Sequence, residues 1–221
     1  MILIVWANHS DKRYGKKFAG TIGDIGVFSF HARKGITTGE GGAIVTKNKK
    51  LYKTMKGYSC FGAVSAFNRS NSKKFVIPQF VDLGFNYKMS DINAAIGIAQ
   101  LKKINFLSKK RNSLAKIYKK LLAGTPLIPQ EITEGAFSVF QAFVCITPRR
   151  NKLVEYLKEQ NIQCQIGTFS SCVQPVYKSK HKCPNSIAVF EKAIALPLYY
   201  EMEKDDVLCV VNAIKEFFNE R

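Results

Sequence analysis

The sequence predicts an α/β chain in two parts. Short apolar runs punctuated by glycine fill the first fifty residues, a long helical periodicity occupies the middle, and strand-like and helix-like segments alternate over the last third. With 221 residues, 46% of them hydrophobic and 12% aromatic, the chain can form one large or two small cores. The boundary expected from these patterns divides residues 1–107 from residues 108–221, the second part being an α+β domain with its own core.

Ile2 to Val5 reads as one apolar strand. Two further runs, Gly26 to Phe30 and Gly42 to Thr46, read as short buried strands flanking a turn. A short helix is predicted over Asn48 to Tyr58, with Asn48 as its cap and Leu51, Met55 and Tyr58 on one face. Ser59 to Gln79 is irregular, Asn68 to Ser72 reads as a loop tip, and Phe80 to Met89 is a mostly apolar approach to the next helix. Ser90 and Asp91 open that helix as cap and dipole partner. Ile92, Ala95, Ala99, Leu107, Leu114, Ile117 and Leu121 continue it to Ala123, where Gly124 and Pro126 stop it. So long a helix is expected to bend near Asn105 to Ser108 and could bridge two domains. Beyond it the spacing predicts strands over Phe140 to Ile146 and Ile162 to Ile166. Helices are predicted over Asn151 to Gln160, Ile187 to Ile194 and Asp205 to Phe218.

The formal charge is +18, with a sequence pI near 9.7. The excess is lysine scattered along the chain, such as Lys49-Lys50, Lys102-Lys103 and Lys119-Lys120, with no nucleic-acid module beside it. A lysine-rich solvated surface is the simpler reading, one that can still steer a phosphate-bearing ligand. No apolar stretch approaches the length of a membrane span, and the apolar N-terminus lacks the basic leader of a signal peptide, so a cytoplasmic location is expected. Cys60, Cys145, Cys164, Cys172, Cys183 and Cys209 form no C-x-x-C pair and read as free thiols. Cys172, His181 and Cys183 match no zinc spacing, so no metal site is expected.

The chemistry concentrates at Ser29-Phe30-His31-Ala32-Arg33-Lys34-Gly35-Ile36-Thr37-Thr38-Gly39-Glu40-Gly41-Gly42. A strand delivers Ser29, His31 and Lys34 to a turn, and a glycine-rich return leads to the next strand. A lysine held between two buried strands is poorly solvated, which favours its neutral amine; that amine can attack a carbonyl and form a Schiff base. Glycines let backbone approach a bulky ligand. On local pattern alone, an ordinary surface lysine in a hairpin-like turn fits as well.

The run from Gly23 through Lys34 to Gly42 resembles the cofactor-lysine signature of the DegT/DnrJ/EryC1/StrS aminotransferases, pyridoxal-phosphate enzymes that aminate keto sugars carried on nucleotides. Leu83-Gly84-Phe85-Asn86-Tyr87-Lys88-Met89-Ser90 resembles the family's Gly-Tyr-Asn-Tyr-Arg-Met-Ser segment, with Lys88 in place of Arg. Gln165 to Phe169 with Gln174 to Tyr177, and Ala195 to Tyr199, resemble two others, with Cys172 where relatives commonly carry His.

The resemblance implies the fold type I of pyridoxal-phosphate transferases. Residues 1–107 would be the C-terminal remainder of the large cofactor-binding domain and residues 108–221 the small domain. It implies Lys34 as the catalytic lysine that holds the cofactor. Ser29 and Asn86 would be phosphate ligands, Asn86 acting on the neighbouring subunit's cofactor in a homodimer. His31 is placed on the substrate. The amino donor would be glutamate and the setting polysaccharide biosynthesis. Family members are much longer, and their Asp partner of the pyridine nitrogen falls at Trp6, or at Val5 in an ungapped count, so the chain is expected to be a truncated and inactive form. The alternative is a non-catalytic, lysine-rich binding or subunit protein that keeps the fold remnant.

Overall fold

An antiparallel hairpin opens the described part of the chain. Strand β1 (Gly26–Ser29) pairs with β2 (Gly42–Val45), Gly26 facing Val45 and Ser29 facing Gly42. The structure, a computed structural model, describes residues 18–63, 77–177 and 183–219. The strand expected at Ile2 to Val5, the positions Val5, Trp6 and His9, the loop tip Asn68 to Ser72 and His181 lie outside the described residues.

The chain divides into two compact units, Met1–Ile104 and Asn105–Arg221. In unit 1 the hairpin is followed by α1 (Lys49–Tyr58), whose Asn48 cap accepts from the amides of Lys50 and Leu51 at 2.9 and 3.1 Å. The segment 80–87 then runs beside residues 58–63. Phe85 N donates to Tyr58 O at 2.7 Å and Phe61 N to Phe85 O at 3.0 Å. Glycine is required where these backbones cross. A Cβ on Gly62, which sits at φ +78°, would lie 1.8 Å from Asp82 O, and one on Gly84 would lie 2.1 Å from Gly62 N. Helix α2 (Asp91–Lys102) begins at Ser90, whose hydroxyl accepts from Asn93 N at 3.2 Å.

The single helix expected from Asp91 to Ala123 is two. α2 ends at Lys102, the cap Lys103 turns its amide back to Gln100 and Leu101, and α3 (Ile104–Leu121) starts anew. The break precedes the expected bend by a few residues, and the unit boundary falls in the first turn of α3. The periodicity ran on unbroken because neither glycine nor proline marks the join.

Unit 2 packs α3, α4 (Arg150–Glu159) and α6 (Lys204–Asn219) with a four-stranded antiparallel sheet. Its order is β3 (Ile128–Pro129), β4 (Phe143–Ile146), β6 (Ala193–Leu196), β5 (Gln165–Ile166). Tyr118, Phe143, Leu153, Leu157, Ile194, Val207 and Ile214 are sealed in one core. Tyr118 stacks on Phe143 with centroids 4.9 Å apart and donates its hydroxyl to Pro197 O at 3.0 Å. Helix α4 ends in a left-handed cap: Asn161 at φ +58°, with Ile162 N reaching Leu157 O at 2.8 Å and both side chains entering the core.

Two expectations fail here. The helix predicted over Ile187 to Ile194 is α5 (Pro184–Lys192), and Ala193 and Ile194 belong instead to the central strand β6. Their burial, with α5 directly upstream, mimicked a continuing helical face. The strands flanking Lys34 are not both buried: Ile44 is 55% exposed and β2 has no buried residue. A two-stranded ribbon covers one face at most.

The two units differ sharply in how much they bury. Among the described residues, only Ile36, Cys60 and Ala63 of unit 1 are buried apolar residues. Helix α2 has no buried residue although Ile92, Ile96, Ile98 and Leu101 point apolar surface in several directions. A helix that is apolar all round belongs in the interior of a larger fold. Leu157→Ala, in the sealed core, should therefore cost unit 2 about 2–5 kcal/mol in urea unfolding followed by circular dichroism. Ile98→Ala, on the open helix, should stay within about 0.5 kcal/mol of wild type in the same experiment.

Candidate functional site

The connection between β1 and β2 is a closed, hydrogen-bonded turn, and it carries the residues singled out in the sequence. Phe30 is its clasp. Its amide donates to Gly41 O at 2.8 Å, and its carbonyl accepts from Thr38 N at 3.0 Å and from the Thr37 hydroxyl at 3.0 Å. Inside the clasp, Lys34 N donates to His31 O at 2.9 Å and Arg33 N to His31 Nδ1 at 3.2 Å, which bends the chain around Lys34. Ile36 and Thr38 plug the turn, at 1% and 4% exposure. Thr38 donates to Glu40 O at 2.6 Å, and Asn93 of α2 donates to the same carbonyl at 3.3 Å, so α2 anchors the return limb. A Cβ on Gly97 would come within 3.1 Å of the Thr38 methyl, so glycine lets α2 lie this close.

Ser29, His31 and Lys34 are thus brought together on one turn. Ser29 Oγ accepts only a long bond from His31 N, at 3.4 Å, which leaves its hydroxyl proton uncommitted among the described residues. Lys34 is half-buried, and among the described residues no hydrogen bond or ion pair engages its amine. His31 Nε2 stands 3.6 Å from Glu40 Oε1, an exposed pair that is weak and serves chiefly to orient the ring. A primary amine and a free hydroxyl donor on one turn suit a ligand that presents a carbonyl and an anionic group.

Asn86 sits elsewhere. It is held by the ladder between residues 58–63 and 80–87, bridging to Cys60, and its Oδ1 accepts from Lys88 Nζ at 2.7 Å. The Lys88 ammonium lies 4.2 Å from the Phe61 ring centroid. No hydrogen bond among the described residues links Asn86 to the Lys34 turn.

Sequence reasoning missed a concavity of about 1140 Å³ in unit 1, walled by both strands of the hairpin with its return limb at Glu40 and Gly41, by α1 and by the segment 85–93. Met55, Tyr58, Phe85, Tyr87 and Met89 make it largely apolar. The helical face of α1 and the apolar approach to α2 were both legible, but their meeting across the hairpin was not, because it depends on the glycine crossing at Gly62 and Gly84.

The sequence pattern of the DegT/DnrJ/EryC1/StrS aminotransferase family matches residues 7–215. The chain belongs to that family. An uncharacterized protein of Methanocaldococcus jannaschii is 36% identical over 220 residues, covering 93% of this chain and 56% of its own length. The GDP-perosamine synthase of Escherichia coli O157:H7 is 31% identical over 214 residues, covering 95% and 56%. Among solved structures, the putative sugar aminotransferase Spr1654 from Streptococcus pneumoniae superposes in its PMP-form with a TM-score of 0.84 at 24% identity, covering 94% of this chain and 56% of that one. Its PLP-form gives 0.82. The fold is therefore that of the pyridoxal-phosphate-dependent sugar aminotransferases, and the chain spans about half the length of the curated relatives it matches.

The closeness of the two hairpin strands gives a direct test of the turn. A Cβ on Gly42 would lie 2.6 Å from Phe28 O. Gly42→Ala should open the hairpin, seen as faster hydrogen exchange at the Phe30 and Thr38 amides, while exchange in β4 and β6 of unit 2 stays unchanged.

Proposed function

We propose that this chain is the part of a sugar aminotransferase that carries the cofactor lysine, and that the complete protein transfers an amino group, with glutamate as donor, to a keto sugar carried on a nucleotide. One observation carries the reading: the ordered motif from Gly23 to Gly42, inside the family match, folds into a turn that bears a lysine amine and a serine hydroxyl proton, both uncommitted among the described residues. Pyridoxal phosphate, when bound, supplies an electron sink that makes a proton on the substrate carbon removable. The donor set of the turn fits that group: Lys34 Nζ for its carbonyl and Ser29 Oγ–H for its phosphate.

In this reading Lys34 Nζ first holds the cofactor and, once displaced by the amino donor, carries a proton as base and then as acid. The Phe30 clasp and the Ile36 plug fix the loop from which the amine reaches. Asn86, separate from the Lys34 turn in its own subunit's bonding, serves the partner's phosphate across a two-fold interface. His31, oriented by Glu40, is offered to the substrate. The scattered lysines raise the local concentration of a doubly phosphorylated sugar nucleotide. The enzyme would work in the cytoplasm, in polysaccharide biosynthesis. The apolar girth of α2 and the half-length match support a complete protein in which further chain covers unit 1.

Two experiments on protein completed to family length decide this. With pyridoxal phosphate added, borohydride should fix the cofactor to Lys34 in a peptide map, and Lys34→Ala should abolish the visible absorbance. A label on another lysine would overturn the assignment, and a complete protein that takes up no cofactor would favour the non-catalytic binding protein.

The second concerns sharing of the site. Mixing Lys34→Ala subunits with Asn86→Ala subunits, each nearly inactive alone, should restore part of the activity, since a heterodimer concentrates both lesions in one site. A mixture that stays inactive despite demonstrated subunit exchange would place Asn86 on its own subunit's cofactor.

A further inference from the structure

The segment of unit 2 that runs from Gly167 to Tyr177 and the start of α5 hold four small polar side chains that neither the fold nor the proposed reaction uses. Cys172 lies in a single 3-10 turn, Ser171–Val173, and is half-buried. Its sulfur is 3.0 Å from Ser170 Oγ. Ser170 is fully buried, and its Oγ accepts from the Ser186 hydroxyl at 2.9 Å. Ser170 and Ser186 thus bring two hydroxyl groups to the Cys172 sulfur, each able to donate to a thiolate there. The turn is pinned from behind, Gln174 Nε2 donating to Ser170 O at 3.1 Å.

The second sulfur completes the arrangement. Cys183 occupies the position before Pro184 at the N-terminus of α5 and makes no capping bond to that helix; its thiol hydrogen-bonds the Cys172 sulfur. Cys172 therefore collects hydrogen bonds from a hydroxyl and a thiol at the N-terminal end of a nine-residue helix. Both features favour a thiolate. The Ser170 bond, then the Cys183 bond, hold the Cys172 thiol below its ordinary range, while the bond to Cys172 raises Cys183. Elsewhere burial pushes the thiols of Cys145 and Cys164 up to about 12, which makes them inert.

The geometry points to Cys172 and Cys183 as a peroxide-reactive pair, with Cys172 the attacking thiolate and Cys183 the resolving thiol of a reversible intrachain disulfide. The Cys172 sulfur attacks one oxygen of a hydroperoxide; the O–O bond breaks, water (or an alcohol) leaves, and Cys172 becomes a sulfenic acid. The Cys183 sulfur then attacks the sulfenic sulfur; the S–O bond breaks, a second water leaves, and the S–S bond forms. Two electrons pass from the two sulfurs to one peroxide, and a dithiol reductant returns them. Ser186, one turn into α5 from Cys183, already touches Ser170, which touches Cys172, so the helix start that carries Cys183 is docked on the Cys172 turn. The inference stands on unit 2 alone and is independent of the aminotransferase reading.

The test uses the purified chain, reduced and then given less than one equivalent of hydrogen peroxide, with peptide mapping under non-reducing conditions. The expected product is a Cys172–Cys183 link that dithiothreitol reverses and that Cys164→Ala leaves intact. Cys183→Ser should stop the reaction at a sulfenic acid on Cys172, trapped by dimedone. Ser170→Ala, which keeps both sulfurs, should slow the oxidation of Cys172 several-fold. In guanidinium chloride the preference for Cys172 should vanish. The inference is overturned if the exposed Cys209 is oxidised as readily as Cys172 in the folded chain, if the link joins other cysteines, or if Ser170→Ala leaves the rate unchanged.

Discussion

Apolar surface must leave water for either unit to hold its shape, and the two units meet that demand by different means. Unit 2 meets it alone: three helices and a four-stranded sheet enclose Tyr118, Phe143, Leu153, Leu157 and Ile214 with almost no exposure. Unit 1 does not. Leu83 is 86% exposed, Ile92 75% and Ile77 71%, although each would contribute roughly 1.5–3 kcal/mol if fully covered. What orders unit 1 is chiefly backbone hydrogen bonding: the hairpin register, the Phe30 clasp and the ladder from Tyr58 to Tyr87. Such bonds contribute about 1 kcal/mol each, net of the water they replace.

This imbalance bears on chemistry because the Lys34 turn stands on unit 1. Its precision comes from a few directed contacts rather than from a surrounding core. Phe30 O takes two donors, Ile36 and Thr38 fill the inside, and Gly97 lets α2 come close enough for Asn93 to reach Glu40 O. A site built this way holds its backbone well and its exposed side chains loosely. The amine and hydroxyl, uncommitted among the described residues, fit that description: they are carried by the turn yet not engaged by it. The apolar wall formed by Met55, Tyr58, Phe85 and Tyr87 is the larger unmet demand.

Much of this was legible in the residues. Asn48 and Ser90 announced their helices by the capping chemistry they perform, and the glycine-punctuated run around Lys34 announced a hairpin turn, which it is. The failures share a cause. Ala193 and Ile194 lie in a strand buried on both faces, where no alternation survives to distinguish strand from helix. The break at Lys103 leaves the apolar spacing intact on both sides, so only the backbone records it. The exposure of β2 was illegible because an apolar run signals the burial a sequence is suited to, not the burial that one length of chain can provide. The Cys172–Cys183 contact was invisible for another reason: eleven positions separate the two sulfurs, and their meeting depends on how α5 lands beside the 3-10 turn.

The placement of Asn86 ties these points together. Its backbone is among the best-fixed parts of unit 1, between the bridge to Cys60 and the bond from Phe85 N to Tyr58 O. Among the described residues its side chain nonetheless binds only Lys88, which in turn lies over Phe61. A carboxamide held rigidly at an exposed edge adds little to the stability of its own unit. Rigid presentation of a polar group costs side-chain entropy, and that cost is recovered when a ligand or a second chain accepts the group without further ordering. Lys34 and Ser29 differ: their turn fixes the backbone that carries them and leaves the side-chain groups loose. Unit 1 thus carries three polar groups that take little part in its described bonding, while much of its described apolar surface stays exposed.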